Sequence, residues 1–547
     1  MSRRAIAGLL WLGFLGTAGW AGEPAATHDG ESIYRRGVLP SGLPLEGIRP
    51  SSGVGLKGAD AACVNCHRRS GLGASEGAVR IPPITGEYLF HTRQATANEP
   101  VLHYVENMHG NRDPYTDATL ARAIREGVDS QGRPLSGLMP RFALGDRDMA
   151  VMIAYLKKLG ARRSPGVTPT LLHFATIVTP EADPAKRRGM LDVLAQYFTD
   201  KNAFPFGPSP QMRASGKTMY AKSMYVANRH WQLHVWQLSG PPEGWRAQLD
   251  KDFAREPVMA VLSGVGGVHW APVHDFCERQ QIPCLFPNVE VPDVADGDFY
   301  SLYFSKGVLL EAEIIAHRIS DSLKDRPARA VRQVYRAGDS GAPAARALAA
   351  ALQGTGLNVQ SEVLPAGQPG QGVSAAVRRA AKADALVLWL RPADLAALDA
   401  APEAPPDVYV SGLMGGLELA PLPASWRARA RMAYPFDLPD RRIVRVDYPR
   451  GWFSFRHIPV VAEQVQADTY LACGVLAETL NHMADVMESD YLVERIQEIL
   501  DHRILTGYYP RLTLATGQSV ASKGGFLVKF TNASSTAVMP DGDWIVP

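Results

Sequence analysis

The sequence predicts a multidomain chain, with a small all-α domain followed by an α/β domain of two lobes. The first part of the chain shows amphipathic helical patterns, as at Asp117 to Gly127. After a polar segment with two prolines, short apolar runs alternate with amphipathic runs, which is typical of parallel sheets covered by helices. The alternation restarts near Tyr300, which indicates a second lobe.

The strongest local signal is the stretch Ala62 to Arg68, which reads Ala-Cys-Val-Asn-Cys-His-Arg. Two thiols at this spacing can add to the two vinyl groups of a porphyrin, and the imidazole that follows can ligate its iron. The motif therefore predicts one haem c, attached through Cys63 and Cys66, with His67 as an axial ligand. A thioredoxin-like dithiol and half of a zinc site are the alternatives. A zinc site needs a second ligand pair, and the chain has no other Cys-x-x-Cys.

Composition sets broad bounds on the protein. A chain of 547 residues is too long for one core, so about two to four folding units are expected. The net charge is +2 and charged residues are 20% of the chain, which gives no reason to expect a nucleic-acid partner. The hydrophobic fraction of 46% is ordinary for a soluble protein.

The N-terminus has the pattern of an export signal. Arg3 and Arg4 form a short positive region, an apolar stretch follows to Ala18, and small residues precede a cleavage site after Ala21. We therefore expect residues 1–21 to be a signal peptide and the mature protein to be periplasmic. An uncleaved anchor is the alternative. No later run of 18 or more apolar residues occurs, so no membrane span is expected after cleavage.

Residues 27–163 resemble a class I cytochrome c, on the haem motif, a Pro82-Pro83 loop, and a Met139-Pro140 loop placed before a final helical pattern. The resemblance implies that a carbonyl of Pro82 or Pro83 accepts a hydrogen bond from the His ligand. It also implies that Met139 is the second axial ligand of the iron. A thioether favours reduced iron, so His/Met ligation raises the reduction potential.

Other ligands for the sixth position come from the segment between the haem motif and the Asp117 helix. It contains His103, Met108 and His109. A histidine from this segment would give bis-His ligation and a lower potential. An open sixth position would suggest peroxidase-like chemistry.

Residues 164–169 read as a short, stiff linker. Residues 170–547 resemble a type I periplasmic binding protein of the branched-chain amino acid receptor kind, with the second lobe beginning near residue 300. The resemblance rests on the layout of strands and helices and on local echoes such as Tyr303 to Gly307 before a helix. It implies a small-molecule ligand held between the lobes.

The glycine-rich stretch from Ser263 to Trp270 follows a predicted strand and opens a predicted helix. Free backbone amides there would favour an anionic group such as a carboxylate, so Ser263 and Trp270 are candidate ligand contacts. The alternative is a glycine turn that serves close packing alone. Nearby, Cys277 and Cys284 could form a disulfide in an oxidising compartment, or remain two buried thiols.

Haem c is the specific chemistry in this sequence, so the leading hypothesis is an exported electron carrier whose large domain docks a partner or binds a small ligand. A redox partner, such as a periplasmic dehydrogenase, would supply or accept the electron. The alternative is a solute receptor or sensor in which the haem domain is an accessory redox module. An enzyme is the least favoured reading, because the large domain shows no metal cluster, catalytic triad or flavin motif.

Overall fold

The computed structural model describes residues 25–76, 79–91, 112–203, 229–324, 330–398, 407–417, 421–483 and 486–547. These residues divide into two compact units, one that ends at Ala161 and one that runs from Arg162 to Pro547. The predicted signal peptide, residues 1–21, lies outside the described residues. No helix within the described ranges is both long and apolar enough to cross a membrane.

Five α-helices form the frame of the first unit in its described residues. Gly30 lets the first and last helices approach closely, since a Cβ at this position would lie 2.5 Å from the Cβ of Tyr155. Tyr34 of the first helix then packs against Tyr155, with ring centroids 5.3 Å apart. The helices are α1 (Ala25–Arg36), α2 (Val64–His67), α3 (Gly86–Phe90), α4 (Asp117–Glu126) and α5 (Asp146–Lys158).

The expectation of an all-α first domain needs a correction, because the part of this unit that the structure describes also contains five short strands. Three of them form an antiparallel sheet in the order β2-β1-β5, and β3 pairs with β4 as a hairpin. Each strand has only two to four residues, which is too short for an alternating pattern to be legible in sequence. They are β1 (Glu46–Arg49), β2 (Val54–Lys57), β3 (Ala74–Glu76), β4 (Val79–Ile81) and β5 (Arg141–Phe142).

The first lobe of the second unit is a five-stranded, fully parallel sheet in the order β10-β9-β8-β6-β7. Its inner strands are largely buried apolar runs with helices between them, as expected for a sheet covered on both faces, whereas the edge strand at 230–237 has only two buried residues. The strands are β6 (Leu171–Val178), β7 (His230–Gln237), β8 (Ala260–Leu262), β9 (Cys284–Leu285) and β10 (Ser301–Leu302). The helices are α6 (Pro184–Asn202), α7 (Trp245–Arg255) and α8 (Ala271–Gln280).

The second lobe repeats this design. Five parallel strands run in the order β12-β11-β13-β14-β15, and β16 and β17 extend the sheet antiparallel. The strands are β11 (Ala330–Arg336), β12 (Asn358–Leu364), β13 (Ala385–Trp389), β14 (Asp407–Ser411), β15 (Ala430–Tyr434), β16 (Phe526–Phe530) and β17 (Val538–Pro540). The helices from here to the end of the chain are α9 (Val308–Leu323), α10 (Gly341–Ala351), α11 (Val373–Ala380), α12 (Pro392–Leu395), α13 (Gly412–Gly415), α14 (Ala424–Arg427), α15 (Pro439–Phe455), α16 (Glu463–Met483) and α17 (Ser489–His502).

Both parallel sheets have the same topology. Taken in chain order, the strands lie as 2-1-3-4-5 in each lobe, so the direction of winding reverses between β6 and β8 and between β11 and β13. In open α/β sheets the crevice at such a switch point, outside the carboxyl ends of the strands, is where ligands bind. The two lobes therefore each present one such crevice.

Cys277 on α8 and Cys284 on β9 are both buried thiols in this structure. Burial raises the pKa of the Cys277 thiol well above its ordinary value, and a hydrogen bond with Cys284 raises it further. The two sulfurs are therefore neighbours, while Cys473 on α16 is a separate buried thiol. The disulfide stays a prediction.

Mass spectrometry tests the disulfide prediction. In protein purified without reductant, then unfolded and alkylated, we expect the Cys277 and Cys284 peptides to remain linked while Cys473 is alkylated. An oxidising compartment forms and preserves such a bond. Alkylation of all three cysteines before any reductant is added would contradict the prediction.

Glu311 is a fully buried carboxyl on α9. Burial raises its pKa from the ordinary 4.5 to about 8, even though the Ser411 hydroxyl and the backbone amides of Gly412 and Leu413 donate to it. A raised folded-state pKa contributes stability that is complete below pH 4.5 and is lost as the pH rises through 8.

The variant Glu311→Gln should remove this pH dependence, because glutamine never ionises. We expect the melting temperature of the variant, relative to wild type, to rise steadily between pH 5 and pH 8. Thermal melts across this range measure it. Glu313→Gln is the matched control, since Glu313 lies on the same helix in a partly exposed ion pair with Lys306. An equal trend in both variants would show that Glu311 is not the source.

Candidate functional site

The haem motif is shaped by one helical turn. Cys63 is the N-cap of α2, and its carbonyl accepts the His67 amide at 2.9 Å. Arg68 ends the turn with a positive φ of 64°. The turn holds both cysteines and the histidine in a fixed relative arrangement, and Cys63 and His67 line the same cavity.

His67 is held by one ring nitrogen. Its Nδ1 lies 3.0 Å from the Pro82 carbonyl oxygen, so the tautomer with Nδ1–H donates there and leaves Nε2 free for a metal. The side chain is buried, with 8% exposed. Burial lowers its pKa to about 4, while the bond to Pro82 acts in the opposite direction. The imidazole is therefore neutral at physiological pH, which is the form that ligates metals.

The Pro82 carbonyl reaches His67 because the β3–β4 hairpin passes close to the motif. Gly73 has a φ of 76°, and a Cβ there would lie 2.0 Å from the Ile81 carbonyl oxygen. The Gly73 amide also donates to the His67 carbonyl at 3.1 Å. A glycine is thus required for this approach. Of the two prolines named from the sequence, Pro82 accepts the bond and Pro83 follows it as a buried residue.

Cys63 and His67 open onto an apolar crevice of about 460 Å³, which includes space open to solvent. Its walls are mostly aliphatic and aromatic side chains from α3, α4, β5 and α5. Burial raises the pKa of the Cys63 thiol to about 12, so this thiol is neutral. Among the residues that line the crevice are Leu89, Leu120, Ile124, Phe142, Leu144 and Leu156.

Met139 lines the same crevice as His67. Its backbone is fixed on both sides, since its amide donates to the Ser136 carbonyl at 3.2 Å and its carbonyl accepts from Arg141 Nη1 at 2.7 Å. The structure therefore brings together His67 and Met139, which lie 72 residues apart in sequence. The other candidates, His103, Met108 and His109, lie outside the described residues.

Met152 is a second thioether in the crevice wall. It lies on α5 and is buried, and the sequence analysis missed it. Its spacing was a usable signal, since it stands four residues before Leu156 on the same face of the helix.

The donor set fits a covalently held haem c. Cys63 lines a crevice without charged walls and Cys66 stands on the same helical turn, an imidazole has one free nitrogen at the crevice, and a thioether lines it as well. A porphyrin is largely apolar, so such walls would bury it and keep water from the iron.

Ser263 and Trp270 are both buried in the second unit, at 0% and 1% exposure. The Ser263 hydroxyl lies 2.8 Å from Thr469 Oγ1 and accepts from Asn288 at 2.9 Å. The Trp270 ring covers Gly264, where a Cβ would lie 2.6 Å from its Cη2 atom. The glycine therefore serves close packing, which was the alternative reading of this stretch. Their role as ligand contacts stays a prediction.

A cluster of charged residues at the strand ends was missed. Glu290 follows β9, Asp339 follows β11 and Arg391 follows β13, and the three are joined by hydrogen bonds, with Lys186 and Ser340 as further partners. Their positions just after predicted strands were the available signal, since the carboxyl ends of parallel strands share one edge of a sheet.

Residues 55–160 match the family model for Cytochrome c. No curated protein matches the chain. Solved structures similar to it include a fatty acid ABC transporter substrate-binding protein from Thermomonospora curvata, with 14% identity, 71% of this chain and 95% of that chain covered, and a TM-score of 0.47.

Two further similar structures have related descriptions. The leucine binding protein LivK from Thermotoga maritima has 12% identity, with 68% of this chain and 99% of that chain covered, and a TM-score of 0.47. The branched-chain amino acid transporter substrate binding protein LivJ from Streptococcus pneumoniae, in complex with isoleucine, has 11% identity, 69% and 100% coverage, and a TM-score of 0.48. Such low identities do not transfer a ligand to this chain.

The family match falls on the stretch that forms the crevice, and it includes Cys63, Cys66, His67 and Met139. Covalently bound haem c is the cofactor of this family. Residues 55–160 are thus a cytochrome c domain, and the chain continues into a unit of two α/β lobes to which these transport binding proteins are similar.

Proposed function

We propose that the protein carries single electrons through one haem c, attached at Cys63 and Cys66 and ligated by His67 and Met139. The observation that carries this proposal is the apolar crevice lined by Cys63, His67 and Met139 together. Bound haem iron supplies the redox chemistry by cycling between the ferric and ferrous states.

The residues of this chain have separable tasks. The Pro82 carbonyl holds the His67 ring plane and tautomer, which fixes the nitrogen that faces the crevice. The Met139 sulfur is a soft ligand that favours reduced iron and so raises the potential. Leu120, Ile124 and the other apolar walls exclude water, which also favours the less charged, reduced state.

The proposal extends to location and organisation. Residues 1–21 would export the chain to the periplasm, residues 27–163 would form the haem domain, 164–169 the linker and 170–547 the two-lobed domain. A periplasmic dehydrogenase is the proposed electron donor, and the two-lobed domain would dock this partner or bind a small ligand. Reduction of the purified protein by such a dehydrogenase, unaffected by small solutes, would support this division of labour.

The second candidate function is a solute receptor or sensor with an accessory redox module. The sheet topology supports this receptor function, because the strand order of each lobe creates a switch point at the carboxyl ends of its strands. A solute that binds the folded state raises the melting temperature by mass action. A thermal-shift screen with amino acids and carboxylates would therefore support the receptor, and an absence of any shift would count against it.

Met139→Ala tests the axial ligand. Wild-type protein should show the weak near-infrared band of His/Met-ligated haem, and the variant should lose it. The potential should fall by on the order of 100 mV or more, given that axial ligands set haem potentials over roughly 0.8 V. Visible and near-infrared spectra in both oxidation states, with a potential titration, measure both effects.

Met152→Leu is the matched control for this experiment, because it removes the other thioether of the crevice. It should keep the near-infrared band and nearly the wild-type potential. His67→Ala should lose the normal haem spectrum even where thioether bonds form. A band that is absent in wild type, or that survives Met139→Ala, would show that Met139 is not the ligand.

A further inference from the structure

The arginine beside the Met139 loop has two contacts with that loop. Arg141 lies on β5 and is half-buried. Its Nη1 donates to the Met139 carbonyl at 2.7 Å, and its Nη2 lies 3.4 Å from the Leu135 carbonyl. A charged donor to a carbonyl makes a stronger bond than a neutral one, so the guanidinium restrains the backbone on which the Met139 thioether is carried.

Gly127 makes room for this arginine. It ends α4 in the left-handed region, with a φ of 73°, and a Cβ there would fall 1.8 Å from Arg141 Cζ. The Gly127 carbonyl also accepts the Leu135 amide at 2.8 Å. The loop from residue 127 to 141 therefore closes around the guanidinium, and one glycine serves both the end of the helix and the arginine contact.

We propose that Arg141 is a positioning residue that fixes the Met139 loop for ligation and raises the haem potential; this rests on the proposed function of Met139. Two effects act in the same direction. The hydrogen bond keeps the thioether side chain aimed into the crevice, and the fixed positive charge beside the loop disfavours ferric iron, which carries more charge than ferrous iron.

The test compares Arg141→Met and Arg141→Lys in the full-length holoprotein. Arg141→Met should weaken the near-infrared band and lower the potential. Arg141→Lys keeps the charge and one donor, so it should restore part of both signals. Arg112→Met is the control, because Arg112 also donates to backbone carbonyls of this unit, those of Asp113 and Tyr88, and not to that of Met139.

The outcomes are distinguishable. If Arg141→Met keeps the band and the potential of Arg112→Met, the positioning role is wrong while Met139 ligation stands. If wild type itself lacks the band, Met139 ligation fails and the positioning role fails with it. If Arg141→Met does not load haem, Arg141→Lys decides. A lysine variant with the full wild-type band and potential would show that the charge alone is sufficient, and this result would overturn the positioning role.

A different observation concerns the two lobes. Glu290 lies between β9 and β10 of the first lobe, where this segment meets the second lobe. Val289 packs against the core of the first lobe and Val291 against a core cluster of the second. The Glu290 carbonyl accepts the Val308 amide at 3.0 Å, at the start of α9. Its side chain is only 14% exposed.

The Glu290 carboxylate binds partners from both lobes. Lys186 of α6, in the first lobe, donates at 2.9 Å. From the second lobe, Ser340 donates at 2.7 Å and Arg391 donates twice, at 3.0 and 2.6 Å. Arg391 continues the chain of ion pairs to Asp339, at 2.9 and 2.6 Å. The carboxylate thus connects the lobes directly.

These contacts lie at the switch point of the second lobe. Asp339 follows β11 and Arg391 follows β13, which are the two strands that flank its switch point. Two cations and two carboxylates neutralise each other within the cluster of Lys186, Glu290, Asp339 and Arg391. Burial pushes the pKa of Glu290 upward, but Arg391 and Lys186 outweigh it and hold that pKa well below its ordinary value.

We propose that Glu290 is an internal latch that holds the two lobes together without a solute. A two-lobed binding domain that cycles between open and closed forms must break its interlobe contacts on opening. Here opening would separate the largely buried Glu290 carboxylate from Arg391, which breaks two charge-assisted hydrogen bonds and is costly. A solute could shift the equilibrium only by binding one form better than the other.

The test uses Glu290→Gln in the full-length holoprotein. Small-angle scattering should show a larger radius of gyration than wild type, and amide exchange should accelerate at Val308 to Leu310, where α9 begins. Glu362→Gln is the matched control, because Glu362 forms an ion pair with Arg379 at 2.9 Å within the second lobe alone. It should leave both measurements unchanged.

A variant that keeps neither charge separates loss of the latch from loss of the fold. Glu290→Gln combined with Arg391→Gln removes both charges of the interlobe ion pair and should also scatter as an expanded form, with an unchanged circular dichroism spectrum. If either folded variant has wild-type scattering and exchange, other contacts hold the lobes and the latch is wrong. Unfolding of both variants would also overturn it, because the cluster would then support the fold and not a separable lobe contact.

Discussion

The hydrogen bond between His67 and the Pro82 carbonyl is the constraint on which the haem site depends. It can form only because the β3–β4 hairpin passes close to α2, and Gly73 is the residue that permits this approach. Once Nδ1 is engaged, the other ring nitrogen is the one left for a metal, and burial keeps the ring neutral. Without the bond, a buried imidazole could rotate or change tautomer, and the crevice would have no defined first ligand.

The opposite wall of the crevice depends on a different kind of constraint. The Met139 loop has little secondary structure of its own, so its position is set by hydrogen bonds to neighbours, above all by Arg141. A flexible thioether side chain needs such a backbone restraint, because methionine has three rotatable bonds and adapts to many environments. The two ligand candidates are thus held by separate devices, a proline carbonyl and an arginine guanidinium.

In the two-lobed unit the decisive effect is the desolvation of charge. Parallel strands place polar residues at one edge of each sheet, and in the second lobe this edge holds Asp339 and Arg391. Glu290 joins them from the first-lobe segment between β9 and β10, and mutual pairing offsets the cost of burial. Ser263, by contrast, is satisfied inside the first lobe by Thr469 and Asn288, so its sequence position at a glycine turn was a poor guide to its surroundings.

The sequence alone determined the features that depend on residues close together in the chain. Cys63, Cys66 and His67 lie within one helical turn, so their spacing alone predicts haem attachment, and the match of residues 55–160 to the cytochrome c model is consistent with that prediction. The alternation of apolar and amphipathic runs determined two α/β lobes, since it reflects burial on both faces of each sheet. Only the tertiary structure decided that Pro82 is the acceptor, that Met152 shares the crevice with Met139, and that Glu290 meets Arg391, because each contact joins residues far apart in the chain and depends on which faces pack together.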